Sequence, residues 1–125
     1  FNDDRTSGTL LLQHRQNHEL SSYGIAKIRN DQRKTVLDVK EKPKNPISNL
    51  VILPVYLFNK KIFSALKKTK EGHNNELQLT DGIKTMIEHG EVINSYNFRK
   101  RVWFDVGTSQ NYFKASNYSF RKAIK

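Results

Sequence analysis

The stretch that decides the fold is Asn49-Leu50-Val51-Ile52-Leu53-Pro54-Val55-Tyr56-Leu57-Phe58, near the middle of the chain. Its residues are apolar at both odd and even positions, which is the pattern of a β-strand covered on both faces of its sheet. A strand of this kind lies inside a sheet and has a neighbour on each side. We therefore predict a central strand over 49–58.

The residues before this stretch predict three more strands. Residues 8–14, Gly-Thr-Leu-Leu-Leu-Gln-His, form a short apolar run between polar neighbours. Residues 23–29 and 34–40 carry Val and Ile at mostly alternating positions on either side of the polar turn at 30–33. The last two segments therefore read as a hairpin.

The residues after the central stretch first predict a helix over 60–69. Asn59 can cap it, and Gly72 can end it. Its apolar residues Ile62, Phe63 and Leu66 share one face, while its lysines are expected to stay in water. This helix is expected to cover the sheet.

A second helix is predicted over 81–89, with Thr80 as its cap and Gly90 after its last turn. Asp81 would face the positive end of the helix, and the apolar residues expected to be buried are Ile83, Met86 and Ile87.

A strand over 92–98 and a third helix after Gly107 complete the pattern. Thr108 or Ser109 can cap this helix, and one of its faces would carry Tyr112, Phe113, Ser116 and Phe120. Strands and helices alternate along the chain, so the fold class is α/β.

Length and composition indicate one small folded domain. The chain has 125 residues, of which 34 are Leu, Ile, Val or Phe, enough for a core. No apolar run is long enough to cross a bilayer, and the opening residues lack the order of a signal peptide. With no cysteine there is no disulfide, thiolate nucleophile or cysteine-bound metal. We expect a cytoplasmic protein.

The chain is strongly basic, with 22 Lys and Arg against 12 Asp and Glu and a net charge of +10. Such a charge attracts nucleic acid, an anionic surface or small phosphorylated ligands through the same long-range field. Basic and aromatic residues are scattered rather than gathered in a stripe, and no nucleic-acid motif is present. A basic nucleic-acid-binding module without enzymatic activity is therefore the alternative to an enzyme.

Glu41 and Lys42 place an acid beside a base at the end of a predicted strand, before a loop that holds Pro43 and Pro46. Pro43 favours a bend there. A carboxylate can accept hydrogen bonds from two adjacent hydroxyls of a sugar, and an ammonium group can neutralise a phosphate. The alternative is a solvated run of charges.

Asp105 stands among bulky apolar residues in Val102-Trp103-Phe104-Asp105-Val106-Gly107-Thr108. A buried charge at this place needs a partner. One candidate is a hard divalent cation shared with substrate phosphates. The other is a set of hydrogen bonds from nearby backbone N–H groups.

His14 and His18 are four residues apart, a spacing that binds zinc only when both lie on one helix with further ligands. His14 ends a predicted strand and His18 follows in a loop. We expect no metal site there.

Five short sequence motifs together resemble the sugar-1-phosphate nucleotidyltransferases, the family of glucose-1-phosphate uridylyl- and thymidylyltransferases. In family order they are Tyr23-Gly24-Ile25-Ala26, Glu41-Lys42-Pro43, Ser48-Asn49, Glu76-Leu77-Gln78-Leu79-Thr80-Asp81 and Trp103-Phe104-Asp105-Val106-Gly107-Thr108. The resemblance implies a Rossmann-like nucleotidyltransferase fold with a mixed sheet covered by helices. It also implies that residues 1–125 are the C-terminal, sugar-phosphate-binding part, without the nucleotide-binding half.

The resemblance also implies roles for particular residues. The Gly24 backbone and the Glu41 carboxylate would bind sugar hydroxyls, and Ile52 and Trp103 would line the sugar pocket. The remaining two residues would be catalytic: Lys42 would hold the phosphate, and Asp105 would bind Mg²⁺ with a second Asp from the missing half.

The reaction implied is transfer of a nucleotidyl group from UTP or dTTP to glucose 1-phosphate, giving a nucleoside diphosphate sugar and pyrophosphate. Leu77-Gln78-Leu79 resembles uridylyltransferases more than thymidylyltransferases. We expect the 125 residues alone to be inactive, and a homo-oligomer is left open.

Two positions depart from the family pattern. Pro54 stands where the family usually has Gly, and Asn74 stands about where an Arg is common.

Overall fold

A computed structural model describes residues 5–99 and 102–124. Residues 1–4, which belong to the opening segment that does not match a signal peptide, lie outside the described residues. The chain forms five strands and three α-helices. The strands are β1 (Thr6–His14), β2 (Ile25–Ile28), β3 (Val36–Lys40), β4 (Leu50–Phe58) and β5 (Val92–Asn97). The helices are α1 (Lys61–Lys68), α2 (Leu79–Glu88) and α3 (Ser109–Ala123), and short 3₁₀ turns lie at Asn17–Ser22 and His73–Asn75.

The strands form one mixed sheet in the order β3-β2-β4-β1-β5. β4 is antiparallel to both β1 and β2, while β5 runs parallel to β1. The predicted central strand is confirmed, as is the hairpin of β2 and β3.

Each face of the sheet has its own apolar cluster. On the helical face, α1 and α2 contribute Ile62, Ala65, Ile83 and Met86 to a cluster with sheet residues such as Leu10 and Ile93. On the other face, the 3₁₀ turn at Asn17–Ser22 contributes Leu20, which packs with Ile25, Val51 and Leu53.

β4 is covered on both faces only along its first half. Leu50–Leu53 are buried, whereas Val55 and Leu57 are 56% and 55% exposed, so the prediction of a strand covered along its whole length is wrong. The helices α1 and α2 cover one face, and the 3₁₀ turn reaches only the beginning of the strand on the other.

Pro54 lies where the pairing of β4 with β1 is irregular. Leu10 is opposite Tyr56 and Leu12 is opposite Ile52, so three β4 residues face the single β1 residue between them. Proline has no N–H to donate to a strand ladder and is tolerated where the ladder is interrupted. The irregular pairing accounts for a proline in a central strand.

α1 begins one residue later than predicted, at Lys61 with Lys60 as its cap residue, and its end and its buried face also differ from the prediction. The Asn59 side-chain oxygen accepts a hydrogen bond from the Lys61 N–H at 3.0 Å. The helix ends at Lys68, before Gly72, because Thr69 is already extended. Ile62 is buried but Phe63 is 67% exposed, since its side chain points away from the sheet that Ile62 covers.

α2 starts earlier than predicted. Its cap residue is Gln78, so Thr80 lies inside the first turn and is buried rather than capping the helix. Ile83 and Met86 are buried as predicted, whereas Ile87 is only half-buried. Gly90, with φ of +80°, follows the last turn in the left-handed conformation that glycine adopts readily.

α3 is capped as predicted, with the Thr108 hydroxyl accepting a hydrogen bond from the Asn111 N–H at 3.2 Å. Its apolar residues are largely exposed, and within Ser109–Ala123 the structure shows no buried residue. In the described ranges, 5–99 and 102–124, no helix has the length and apolar character needed to cross a membrane.

Candidate functional site

A cavity of about 260 Å³ opens where β2, β3, β4 and α2 meet. Five of the six residues predicted to form a site line it, although they come from separate segments of the chain. They are Gly24, Glu41, Ile52, Trp103 and Asp105. The fold therefore brings the predicted segments together around one space.

Glu41 and Gly24 form one wall together with Thr80. The Thr80 hydroxyl donates a hydrogen bond to Glu41 Oε2 at 2.6 Å. A Cβ placed on Gly24 would lie 3.0 Å from the Thr80 hydroxyl oxygen and 3.1 Å from that carboxylate oxygen. Any side chain at Gly24 would therefore crowd this pair.

β4 forms the adjoining wall, and the Ile52 N–H donates a hydrogen bond to the Gly24 carbonyl at 2.8 Å. Ile52, Pro54 and Tyr56 all line the cavity, as expected for alternate residues on one face of a strand. Burial raises the pKa of the Tyr56 phenol above its ordinary value, and the negative charge of Glu41 adds to the shift. The phenol therefore stays protonated at neutral pH and can donate a hydrogen bond.

Trp103 lines the cavity and contacts two other side chains. Tyr23 meets it edge-on with 6.0 Å between ring centroids, and the Arg15 guanidinium carbon lies 5.6 Å from the indole centroid. Burial raises the pKa of Tyr23, although the positive charge of Arg15 opposes this shift. Trp103 also lines a second groove of about 850 Å³, together with Gln13 and Arg99.

Asp105 lies at the rim of the cavity and is exposed, so its carboxylate is not buried among its apolar sequence neighbours. The chain from Val102 to Thr108 runs along the surface, and this keeps the neighbouring Val106 exposed as well. Asp105 Oδ1 accepts a hydrogen bond from the Gly107 N–H at 3.0 Å. An exposed carboxylate with one such bond can still bind a cation.

Lys42 does not line the cavity, although it adjoins Glu41. Its φ of +38° is rarely adopted by residues other than glycine, and its N–H donates to the Tyr23 carbonyl at 3.2 Å. This bend directs Glu41 towards the cavity while Lys42 is exposed to solvent. The long Lys42 side chain starts beside the mouth of the cavity.

The sequence reasoning missed two polar residues of the site, Thr80 and Tyr56. Thr80 belongs to the motif Glu76–Asp81 and was interpreted only as a helix cap. Tyr56 was interpreted only as part of an apolar strand, although its position two and four residues from Pro54 and Ile52 places all three on one face.

His14 and His18 lie on different elements, a strand end and a 3₁₀ turn. The ring Nδ1 of His14 lies 3.0 Å from the Asn49 side-chain oxygen. Across the part of the chain that the structure describes, no group of three or more His, Asp or Glu side chains is placed to hold a metal ion.

Comparison with known proteins identifies related sequences. A family model described as "Nucleotidyl transferase" matches residues 1–121. A UTP–glucose-1-phosphate uridylyltransferase of Pseudomonas aeruginosa is 30% identical over 129 residues, covering 100% of this chain and 45% of the relative. A glucose-1-phosphate thymidylyltransferase of Xanthomonas campestris pv. campestris is 30% identical over 96 residues, covering 77% of this chain and 32% of the relative.

A solved structure shows the same architecture. UDP-glucose pyrophosphorylase complexed with UDP-glucose matches with a TM-score of 0.84 and 30% identity, over 93% of this chain and 45% of that chain. The expected mixed sheet of a nucleotidyltransferase fold is thereby confirmed. The chain spans less than half the length of these relatives. None of these matches favours the nucleic-acid-binding alternative.

Proposed function

Because this chain belongs to the nucleotidyl transferase family, we propose that it is the sugar-phosphate-binding part of an enzyme that makes a nucleoside diphosphate sugar. The substrates proposed are glucose 1-phosphate and UTP or dTTP. Residues 1–125 would form the C-terminal part of the catalytic domain, and a separate nucleotide-binding part would complete it.

The observation that carries this proposal is the convergence of five chain segments on one cavity. They are Tyr23-Gly24, Glu41, β4, Thr80 at the start of α2 and the Trp103–Asp105 segment, and they are distant in sequence. The cavity combines apolar walls with a carboxylate, a hydroxyl and a phenol. Such a combination suits a sugar, which presents both C–H surfaces and hydroxyl groups.

In this proposal Glu41 accepts hydrogen bonds from sugar hydroxyls. Its Oε2 is held by Thr80, which fixes the orientation of the carboxylate, and Oε1 remains available for a ligand hydroxyl. The Gly24 backbone forms the adjoining wall because no side chain stands between it and the ligand. Ile52 and Trp103 supply the apolar surface.

Lys42 is proposed to bind the phosphate of the sugar phosphate. Its exposed ammonium group has a flexible stem and can reach the cavity mouth when an anion arrives. The net charge of +10 supports this substrate class by attracting anions over a longer range.

Asp105 is proposed as the residue of this chain that holds Mg²⁺. Its exposed carboxylate at the cavity rim is a hard oxygen donor, and one carboxylate with phosphate oxygens is a usual ligand set for this ion. When bound, the ion would neutralise phosphate charge.

The proposed reaction is an in-line attack by a phosphate oxygen of the sugar phosphate on the α-phosphorus of the triphosphate. The new P–O bond forms as the bond to pyrophosphate breaks. A sugar phosphate is already mostly dianionic at neutral pH, so no general base is needed. The contribution of this chain is to hold one anion in position and to shield its charge with Lys42.

The motif Leu77-Gln78-Leu79 favours UTP as the nucleotide, because it resembles the corresponding motif of uridylyltransferases. This motif lies at the start of α2 and does not line the cavity. The preference for UTP is therefore supported by sequence resemblance and not by a contact with the site. We further propose that the 125 residues alone are inactive, because they lack a triphosphate-binding part.

Two measurements test the proposal. In the complete enzyme, which joins this chain to its nucleotide-binding part, pyrophosphate release is measured for each pair of sugar phosphate and triphosphate. The highest turnover is expected with glucose 1-phosphate and UTP or dTTP, and no turnover with any pair would refute the activity. In the isolated chain, nucleotidyl transfer would refute the need for a second part.

The nucleic-acid alternative is tested by titrating the chain with duplex and single-stranded DNA at two salt concentrations. Backbone binding weakens steeply as salt rises. Tight, salt-sensitive binding together with absent turnover would favour the alternative.

A further inference from the structure

Pro54 removes a hydrogen-bond donor from the wall of the cavity. It lines the cavity together with Ile52 and Tyr56, and it stands at one of the two positions that depart from the family pattern. A residue of any other type would carry a backbone N–H there, whereas proline carries only a carbonyl group. The wall therefore lacks one donor that a strand normally offers.

The missing N–H would lie on the edge of β4 that adjoins the cavity. The Ile52 N–H donates to the Gly24 carbonyl at 2.8 Å, so this edge faces the segment before β2. In a strand the N–H groups of residues two apart point to the same edge. The N–H of another residue type at position 54 would therefore be the next donor along this edge after that of Ile52.

This part of the edge adjoins the cavity rather than a strand. Within residues 5–99 and 102–124, β2 is opposite β4 only where Ile25 faces Val51. Gly24, Ile52 and Pro54 all line the cavity, so the space lies beside the edge just beyond the bond between Ile52 and Gly24. A donor at position 54 would thus be directed towards a ligand in the cavity.

The polar groups of the cavity are gathered on its other side, around Glu41. Thr80 donates to Glu41 Oε2, and the negative charge of Glu41 contributes to the raised pKa of Tyr56. Ile52 and Pro54 contribute aliphatic side chains instead. A bound sugar therefore meets hydrogen-bonding groups on one side and an apolar surface without the position-54 donor on another.

We propose that Pro54 is a specificity-determining residue: it leaves one sugar hydroxyl without a protein donor and so admits the 1-phosphates of deoxyhexoses that lack this hydroxyl. This inference rests on the proposed function. A site that hydrogen-bonds a hydroxyl rejects an analogue without it, because the polar group of the site is then left unpaired. Where the site has no donor, this penalty is absent.

Glucose 1-phosphate is accepted for a separate reason. Pro54 is exposed, so a hydroxyl beside it keeps its contact with water. A hydroxyl that stays hydrated loses little on binding, and its replacement by hydrogen brings a C–H group against the pyrrolidine ring. Because both effects are small, the two sugar phosphates are expected to be used with similar efficiency.

The first test is a series of substrates in the complete enzyme. The ratio kcat/KM is measured for glucose 1-phosphate and for each of its monodeoxy analogues, with the triphosphate that gives the highest turnover. One analogue is expected to lie within about threefold of glucose 1-phosphate, whereas an analogue without a hydroxyl bound by Glu41 is expected to fall at least about tenfold. An equal loss with every analogue would overturn the proposal.

Pro54→Ala connects the tolerance to the missing N–H, because alanine restores the donor and keeps a small apolar side chain. The tolerated analogue is expected to fall at least about tenfold below glucose 1-phosphate, while the values of the other analogues relative to glucose 1-phosphate stay as in the wild type. Pro54→Gly restores the same donor and is expected to give the same selective loss. An unchanged profile in both variants would contradict the proposal.

Pro46→Ala is the matched control, because Pro46 is exposed in the loop between β3 and β4 and does not line the cavity. It is expected to leave the substrate profile unchanged. Melting temperatures separate a role in folding from one in specificity. A higher melting temperature of Pro54→Ala with an unchanged profile would assign the restored N–H to the fold and overturn the proposal.

These outcomes separate this inference from the proposed function. The absence of turnover with glucose 1-phosphate and all its analogues would refute the activity. Calorimetric titration of the complete enzyme with each sugar phosphate would then compare wild type and Pro54→Ala without turnover, and the same selective loss is expected in affinity. Normal turnover of glucose 1-phosphate with rejection of every analogue would refute the role of Pro54 alone.

Discussion

The Thr80 hydroxyl donates a 2.6 Å hydrogen bond to Glu41 Oε2, joining the first turn of α2 to the end of β3. The two residues lie 39 positions apart in sequence. Thr80 is nearly buried in the cavity wall and so holds the carboxylate in one orientation. The helix therefore contributes to the site through a side chain that need not touch the sugar.

Thr80→Val tests this positioning role. Removing a hydrogen bond to a charged group costs about 1.5–3 kcal/mol. We expect the KM for sugar phosphate to rise about tenfold or more in the complete enzyme, with a smaller change in kcat. Steady-state kinetics measure both. Thr85→Val is the matched control, because its hydroxyl donates to the Asp81 carbonyl on the same helix, away from the cavity. Equal changes in KM would contradict the role.

Glu41→Gln tests whether the carboxylate binds sugar hydroxyls. The amide keeps the shape of the side chain but weakens charged hydrogen bonds by about 1–3 kcal/mol, so KM is expected to rise and the preference among sugar phosphates to change. Glu71→Gln, at an exposed position, serves as the control. A lower melting temperature with unchanged kinetics of the folded enzyme would indicate a structural role only.

Asp105→Asn tests the proposed cation site. Loss of one electrostatic contact to the transition state is expected to lower kcat by about 10² or more. Kinetics corrected for folded fraction are measured across magnesium concentrations. Asp38→Asn is the control, since that half-buried carboxylate lies on β3, 4.0 Å from Lys84. An unchanged kcat in Asp105→Asn would remove the metal role.

Glu91 predicts a pH dependence of stability. A hydrogen bond from Lys61 at 2.9 Å, and a further one from the Ser7 hydroxyl, lower the pKa of Glu91 below its ordinary value of 4.5. A carboxyl whose pKa is lower in the folded state stabilises the fold fully above its unfolded pKa. That contribution is lost as the pH falls through the folded pKa.

The measurement is urea unfolding between about pH 7 and pH 3, in the wild type and in Glu91→Gln. The variant is expected to lose less stability on acidification than the wild type. Glu88→Gln, an exposed carboxyl on α2, is expected to follow the wild type. Parallel pH curves for all three proteins would rule out the contribution of Glu91.

The sequence pattern predicted the strands and helices because apolar periodicity reports which faces are buried. It was wrong where burial depends on distant segments. Phe63 and the second half of β4 are apolar but exposed, and only the tertiary arrangement shows what packs over them. The cap of α2 was misplaced by two residues because Thr is a preferred cap residue and Gln is not, whereas in the structure Gln78 is the cap and the Thr80 hydroxyl bonds to Glu41.

The site was predicted for a different reason. Resemblance to family motifs identified Gly24, Glu41 and Trp103 as candidate site residues. The structure places all three around one cavity. Local pattern could not find Thr80 or Tyr56, because their importance comes from neighbours on other elements. The exposure of Asp105 could not be predicted from the sequence pattern either, because apolar sequence neighbours do not reveal whether a loop runs over the surface.

Trp103 is the single tryptophan of the chain, and it stands in the wall shared by the cavity and the larger groove. The intrinsic indole fluorescence of the protein therefore comes from one position at the proposed sugar site. Entry of a ligand on either side changes the polarity around the same fluorophore. The molecule thus contains its own optical reporter of occupancy, and binding can be followed without a label.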